Sequence, residues 1–280
     1  MRVTGKRLSM SDGFPLFYRE AKARNPKAIM ILLPGISLHS GVYIDLLRTT
    51  ASRGISVIAP DQRGRGKSVT TEWKKGDIHS IKRMVQDVAE LRESKEHELN
   101  GLPVFLGGIS FGAVIAVLSA ASQNHIKGVI VAGPPFGQHT SPIVMAMEGL
   151  VAAINPDSLV GRTPDPKDLY QSKKVQMQVA KDPLFNANPL RAQAAIEIVR
   201  TMKNLDRAIQ RANTPLLIIY GNMDKLVTPK QISVLKEKWG NKDCSVHLLK
   251  GIGHDVFNDD GKEKAFEILD KWMKERSRTF

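Results

Sequence analysis

The sequence predicts an α/β fold: a mostly parallel central sheet, helices on both faces, and a helical insertion. Three observations lead there. Strand-like apolar runs alternate with helix-like stretches over 28–132 and again over 215–277, the pattern of a parallel sheet with crossover helices. Between the two blocks lies a segment rich in proline, lysine and methionine, with Pro156, Pro164, Pro166, Pro183 and Pro189, where the alternation stops. At one strand-to-helix junction stands a serine between glycines, Gly108-Ile109-Ser110-Phe111-Gly112.

The elements follow in chain order. Residues 7–21 alternate and contain Asp12-Gly13, a hairpin signal. The continuous apolar run 28–33 reads as a central strand, followed by a helix near 41–53, a strand at 55–59 and a helix near 78–98. Strand 103–107, helix 111–123 and strand 127–132 complete the first block, which ends at Gly133-Pro134-Pro135. The segment 137–212 is expected to form a cap inserted into a single 1–280 domain. Its first helix, 143–154, is apolar almost all round, so it is buried or meets something greasy, an acyl chain or a membrane. The stretch Arg191 to Arg211 carries Arg200, Lys203 and Arg207 in a helical pattern. After it come strand 215–220, helix 229–239 opened by Thr228-Pro229, strand 245–249 and an amphipathic helix from about 260 to 277.

Chemistry enters at the glycine-flanked serine. Ser110 sits on the turn between strand and helix, where side chains beside it have no room, hence Gly108 and Gly112. A serine hydroxyl is a weak nucleophile at neutral pH and needs a base that titrates nearby. His254, in Lys250-Gly251-Ile252-Gly253-His254-Asp255, follows the strand 245–249; Asp224, in Gly221-Asn222-Met223-Asp224, follows the strand 215–220. All three residues fall at the C-terminal ends of strands, where parallel sheets place their sites. Asp224 is the expected orienting carboxylate, because Asp255 adjoins His254 and neighbouring side chains on a turn rarely face each other. The backbone N–H groups of Phe111 and of Ile36, after the strand 28–33, are the expected oxyanion donors.

Four segments resemble one family. Pro34-Gly35-Ile36-Ser37-Leu38-His39-Ser40-Gly41-Val42-Tyr43 resembles the oxyanion loop of the monoacylglycerol lipase and lysophospholipase group of α/β-hydrolases. Asp61-Gln62-Arg63-Gly64-Arg65-Gly66-Lys67-Ser68 resembles its turn after the next strand, Asp182-Pro183-Leu184 a segment near the end of its lid, and Gly251 to Asn258 its histidine loop. The resemblance implies an α/β-hydrolase fold and a Ser110, Asp224, His254 triad. It also implies that Leu38, Val42 and Ile109 stand where the family places polar groups for a glycerol head. Their apolar character points to esters of a less polar alcohol or acyl group. The same residues would serve an amidase, thioesterase or acyltransferase; a hydrophobic-ligand binder on the same scaffold is the alternative of another class.

Composition sets limits. Of 280 residues, 42% are hydrophobic and 25% charged, values of a globular chain long enough to bury a large core. The only cysteine is Cys244, so no disulfide framework forms within the chain. The basic start Met1-Arg2-Val3 has no apolar stretch behind it, and no run approaches ~18 apolar residues, so a cytoplasmic protein is expected. The formal charge of +13 is spread along the chain with no aromatic-basic cluster, which argues against nucleic acid; it reads as a solvated surface, with attraction to anionic lipid surfaces or anionic substrates as the functional alternative. Arg65-Gly66-Lys67-Ser68 ends like a phosphate loop, but that motif needs glycine where Asp61 stands. A small-molecule ester is the expected partner, with no cofactor and no metal.

Overall fold

The computed structural model describes residues 1–136 and 154–277. Along the chain the strands are β1 (Val3–Ser9), β2 (Pro15–Ala21), β3 (Ala28–Leu33), β4 (Ile55–Pro60), β5 (Val104–Ile109), β6 (Ile126–Ala132), β7 (Leu159–Val160), β8 (Leu190–Arg191), β9 (Leu216–Gly221) and β10 (Cys244–Leu249). The helices are α1 (Ile44–Ser52), α2 (Ile81–Glu93), α3 (Glu96–Leu99), α4 (Phe111–Ser122), α5 (Pro166–Leu169), α6 (Lys173–Ala180), α7 (Ala192–Arg211), α8 (Pro229–Lys238) and α9 (Lys262–Ser277). One large sheet has the order β1-β2-β4-β3-β5-β6-β9-β10, and β7 pairs with β8 apart from it. Strand β2 is antiparallel to β1 and β4; from β4 to β10 each pairing is parallel.

The two-residue period of a strand divides the core between two layers. Ile29, Ile31 and Leu33 of β3 face one layer; Met30 and Leu32 face the other. Leu106, Val129, Val131, Leu216 and Ile218 join the first, which α2, α4, α7 and α8 cover with Val88, Val117, Leu205 and Leu235. Phe105, Ile130, Leu217 and Ile219 join the second, covered by Leu46 and Leu47 of α1 and by Phe266, Leu269 and Trp272 of α9. Strands buried on both faces read as unbroken apolar runs, which is why 28–33 was legible as a strand.

Differences from the sequence reading have local causes. Asp12-Gly13 makes the expected hairpin, with Gly13 at φ 80 and Asp12 Oδ1 accepting the Phe14 N–H at 3.2 Å. The helix expected near 78–98 begins at Ile81, because Ser80 caps it by accepting the Arg83 N–H, and it stops at Glu93 before the short α3. The helix expected from 41 opens as a 3-10 turn over Ser40–Tyr43 and becomes α1 at Ile44. Strand β5 runs on through Gly107 and Gly108 to Ile109, so the sheet carries the chain to the serine itself.

Of the expected insertion over 137–212, the residues from 154 onward are described. The apolar helix expected at 143–154 lies outside the described residues except for Ile154, which is 78% exposed. Helix α7 buries Ala194, Leu205 and Ile209 in the first core layer and turns Arg200, Lys203, Arg207 and Arg211 outward. No helix among the described residues is long and apolar enough to cross a membrane.

Candidate functional site

Ser110 stands between β5 and α4 with φ 53 and ψ −118, a backbone conformation that L residues disfavour. Its N–H donates to Ala132 O of β6 at 2.8 Å, which keeps it in line with the sheet. Gly108 and Gly112 are there for space. A Cβ on Gly108 would lie 2.3 Å from Gly112 O, and one on Gly112 would lie 2.0 Å from Leu33 O.

His254 Nδ1 lies 2.9 Å from Asp224 Oδ2, with both side chains 1% exposed. The other carboxylate oxygen, Asp224 Oδ1, accepts the N–H groups of Leu226 at 2.7 Å and Val227 at 3.0 Å. Both oxygens are thereby occupied, and the carboxylate is locked in the turn after β9. Among the described residues, His254 Nε2 is buried without a hydrogen-bond partner, Ser110 Oγ included. Catalytic hydrogen bonds are often long until substrate is present. Gly133, at φ 51, lets the chain leave β6 past the imidazole; a Cβ there would lie 2.8 Å from His254 Nδ1.

The loop after β3 is anchored through its carbonyls. Pro34 O accepts Gln62 Nε2–H at 2.6 Å, Gly35 O accepts the Leu38 N–H at 3.0 Å, Ile36 O accepts Arg65 Nε–H at 2.8 Å, and Ser37 O accepts the Asn186 N–H at 2.9 Å. This fixes the peptide planes and leaves the Ile36 N–H uncommitted among the described residues. The loop lies against the serine: a Cβ on Gly35 would sit 3.6 Å from Ser110 Cβ. Burial holds the Arg65 guanidinium down to about 10, still charged at neutral pH. Arg63 points elsewhere, its Nε and Nη2 on Asp87 at 2.7 and 2.8 Å, with Phe14 and Trp73 against its guanidinium.

Sequence reasoning missed several contacts around this loop. His39 Nδ1 accepts the Gly41 N–H, so Nε2 carries the proton and donates to Asp182 Oδ2 at 2.9 Å. Asp61 Oδ1 accepts Ser40 N–H at 2.7 Å and Ser40 Oγ–H at 2.5 Å. Asp255, adjacent to the histidine, turns away from its ring and accepts Tyr43 O–H and Tyr170 O–H, each at 3.0 Å. Burial pushes the Asp255 carboxyl up to about 6, and burial with the Asp255 charge holds both phenols well above the usual tyrosine range. Those polar residue types in loops were the only signal.

The three apolar positions differ in placement. Leu38 is 3% exposed with its Cδ1 3.6 Å from a Cβ on Gly35, at the loop beside the serine. Val42 packs half-buried on the second core layer, and Ile109 is wholly enclosed in it.

A serine on a strained elbow, a histidine joined to an aspartate, and the loop after β3 lying against the serine are what a serine-hydrolase site requires. A family model described as Hydrolase_4, serine aminopeptidase S33, matches residues 24–261. The chain belongs to that family of α/β-hydrolases, and within it to the monoacylglycerol lipase-like group. The monoglyceride lipase of Homo sapiens is 27% identical over 284 residues, covering 96% of this chain and 90% of that protein. The monoacylglycerol lipase of Mycolicibacterium smegmatis is 21% identical, covering 89% of each chain. Among solved structures, a soluble variant of monoglyceride lipase from Saccharomyces cerevisiae bound to a substrate analog shares the fold at a TM-score of 0.85 and 20% identity, covering 98% of this chain and 96% of that one. A thermostable carboxyl esterase from Bacillus coagulans in complex with glycerol matches at 0.85 and 18% identity, covering 99% of both.

Proposed function

We propose that this protein is a serine carboxylester hydrolase acting on lipid-like esters: acylglycerols, lysophospholipids or simple alkyl esters. The observation that carries the reading is the buried His254–Asp224 pair together with Ser110 on its elbow, joined through the end of β6: the Ser110 N–H donates to Ala132 O, and the next residue, Gly133, lies against the His254 imidazole. Ser110 Oγ attacks the ester carbonyl carbon while His254 Nε2 takes its proton. The carbonyl oxygen becomes an oxyanion, held by the N–H groups of Ile36 and Phe111, the latter at the positive end of α4. The bond to the alcohol then breaks as His254 returns the proton to the leaving oxygen. Water, with His254 again as base, attacks the acyl-serine and releases the carboxylic acid. Segment 137–212 serves as the cap that meets the acyl chain.

The relatives that are themselves monoacylglycerol lipases support ester substrates of this kind. The family's description as an aminopeptidase leaves amide hydrolysis as the second reading, by the same residues. A fluorophosphonate probe, with wild type and Ser110→Ala side by side, tests the nucleophile. Matched p-nitrophenyl esters and anilides then test the bond cleaved. Labelling lost in Ser110→Ala, with esters turned over faster than anilides, is expected. An unlabelled wild-type protein would leave only ligand binding on a hydrolase scaffold, and faster anilides would make it an amidase.

A further inference from the structure

One carboxylate and one backbone carbonyl hold the chain on either side of His254. The Gly253 N–H donates to Asp259 Oδ2 at 2.8 Å, and Asp259 also accepts the N–H groups of Gln171 at 2.8 Å and Ser172 at 2.9 Å. On the other side the Asp255 N–H donates to Leu169 O at 3.1 Å. The histidine is thus pinned, through the chain on both sides of it, to the stretch 169–172 of the inserted segment.

Asp255 adds a third body to this joint. Its Oδ2 accepts two phenols: Tyr43 O–H from the 3-10 turn that closes the loop beside Ser110, and Tyr170 O–H from the residue after α5. Its Oδ1 faces the Phe257 N–H at 3.3 Å. Tyr43 and Tyr170 are each 1% exposed and Asp255 is 0% exposed. Burying a carboxylate is costly unless donors satisfy it, and an apolar side chain would fill the same space at less cost. What the carboxylate adds is direction, because hydrogen bonds to an anion are strong and geometrically specific.

We infer that Asp255 is a positioning residue: through Tyr43 and Tyr170 one carboxylate sets where His254 stands relative to Ser110 and the Ile36 N–H, and ties that placement to the inserted segment. The inference rests on the reading of Ser110 and His254 given above. Displacing a reacting group by about 1 Å can cost about a hundredfold in rate, so a joint of this kind bears directly on turnover.

The test is steady-state kinetics on a short p-nitrophenyl ester, the fluorophosphonate labelling rate, and Tm, for Tyr43→Phe, Tyr170→Phe, Asp255→Asn and Asp255→Leu. Each Tyr→Phe variant is expected to lower kcat and labelling about tenfold with KM within about twofold, because substrate contacts are untouched. The amide oxygen of Asp255→Asn still accepts both phenols, so that variant is expected to keep kcat within about fivefold, while Asp255→Leu falls to about a hundredth. If both Tyr→Phe variants keep wild-type kcat and labelling, the inference is overturned. It is equally overturned if the losses follow Tm alone, or if Asp255→Asn is no better than Asp255→Leu. Ser110→Ala is the control: should it still turn over and label, the reading of the site fails and takes this inference with it. An inert Ser110→Ala beside unaffected Tyr→Phe variants defeats the positioning role alone.

Discussion

Asp224 reaches His254 from a turn that its own second oxygen builds. Oδ2 faces His254 Nδ1, while Oδ1 accepts the N–H groups of Leu226 and Val227. The carboxylate has no freedom to swap partners without dismantling that turn.

Asp224→Asn follows from this. The turn needs an oxygen acceptor, so the amide oxygen stays with Leu226 and Val227 and the NH2 group faces His254 Nδ1. The imidazole must then accept at Nδ1 and carry its proton on Nε2, the wrong tautomer for a base. We expect a folded protein with kcat down by about ten-thousandfold, the scale known for that tautomer error in another serine hydrolase. Ser110→Ala and His254→Ala should be at least as severe, with circular dichroism unchanged. A near-wild-type Asp224→Asn beside a crippled Asp255→Asn would mean the acid had been assigned to the wrong aspartate.

Stability should depend on pH through Asp255. Its folded pKa, about 6, lies above the ordinary 3.8. The folded protein therefore binds the proton more tightly than the unfolded chain, and wild type loses stability from this group as pH rises from about 4 to about 6. An asparagine there does not titrate. The Tm difference, Asp255→Asn minus wild type, should grow between pH 4 and pH 8, by at most about 3 kcal/mol in free energy. A difference that is flat or shrinks over that range contradicts the raised pKa.

Substrate choice follows from the apolar loop. Leu38 beside Gly35 offers no partner to an alcohol hydroxyl, and a buried hydroxyl without one costs about 1–3 kcal/mol. We expect kcat/KM for a simple alkyl ester to equal or exceed that for the monoacylglycerol of the same acyl chain. A preference of about tenfold or more for the monoacylglycerol, equivalent to about 1.4 kcal/mol, would place the glycerol on polar residues elsewhere.

The outward basic face of α7 is expected to draw the protein to anionic lipid. Each basic residue near such a surface contributes about 1 kcal/mol. The triple variant Arg200→Glu, Lys203→Glu, Arg207→Glu should lose binding to phosphatidylserine vesicles in a sedimentation assay while keeping activity on a dispersed short ester. Equal sedimentation of wild type and variant would remove this role.

Much of the candidate site was legible because its residues lie where strands of the parallel sheet stop. Ser110, Asp224 and His254 each follow a strand at its C-terminal end, and parallel sheets gather such ends. The supporting shell was not legible. Asp255 meets Tyr43 and Tyr170 across 212 and 85 residues of chain, and no local pattern announces such contacts. The two arginines around Gly64 look alike in sequence; the reversal at Gly64, φ 73, sends Arg63 to Asp87 and Arg65 to the loop beside the serine. Composition could not place the break between α2 and α3, which follows from how the chain turns at Ser94.

The elbow also makes Ser110 a burden to the rest of the molecule. Left-handed backbone at a residue with a side chain costs about 1–3 kcal/mol, which the surrounding sheet must absorb. Glycine would carry that conformation almost freely. A population of this gene evolved in the laboratory for heat resistance alone, with no demand for turnover, should therefore drift towards glycine at position 110 and grow hardier as it falls silent.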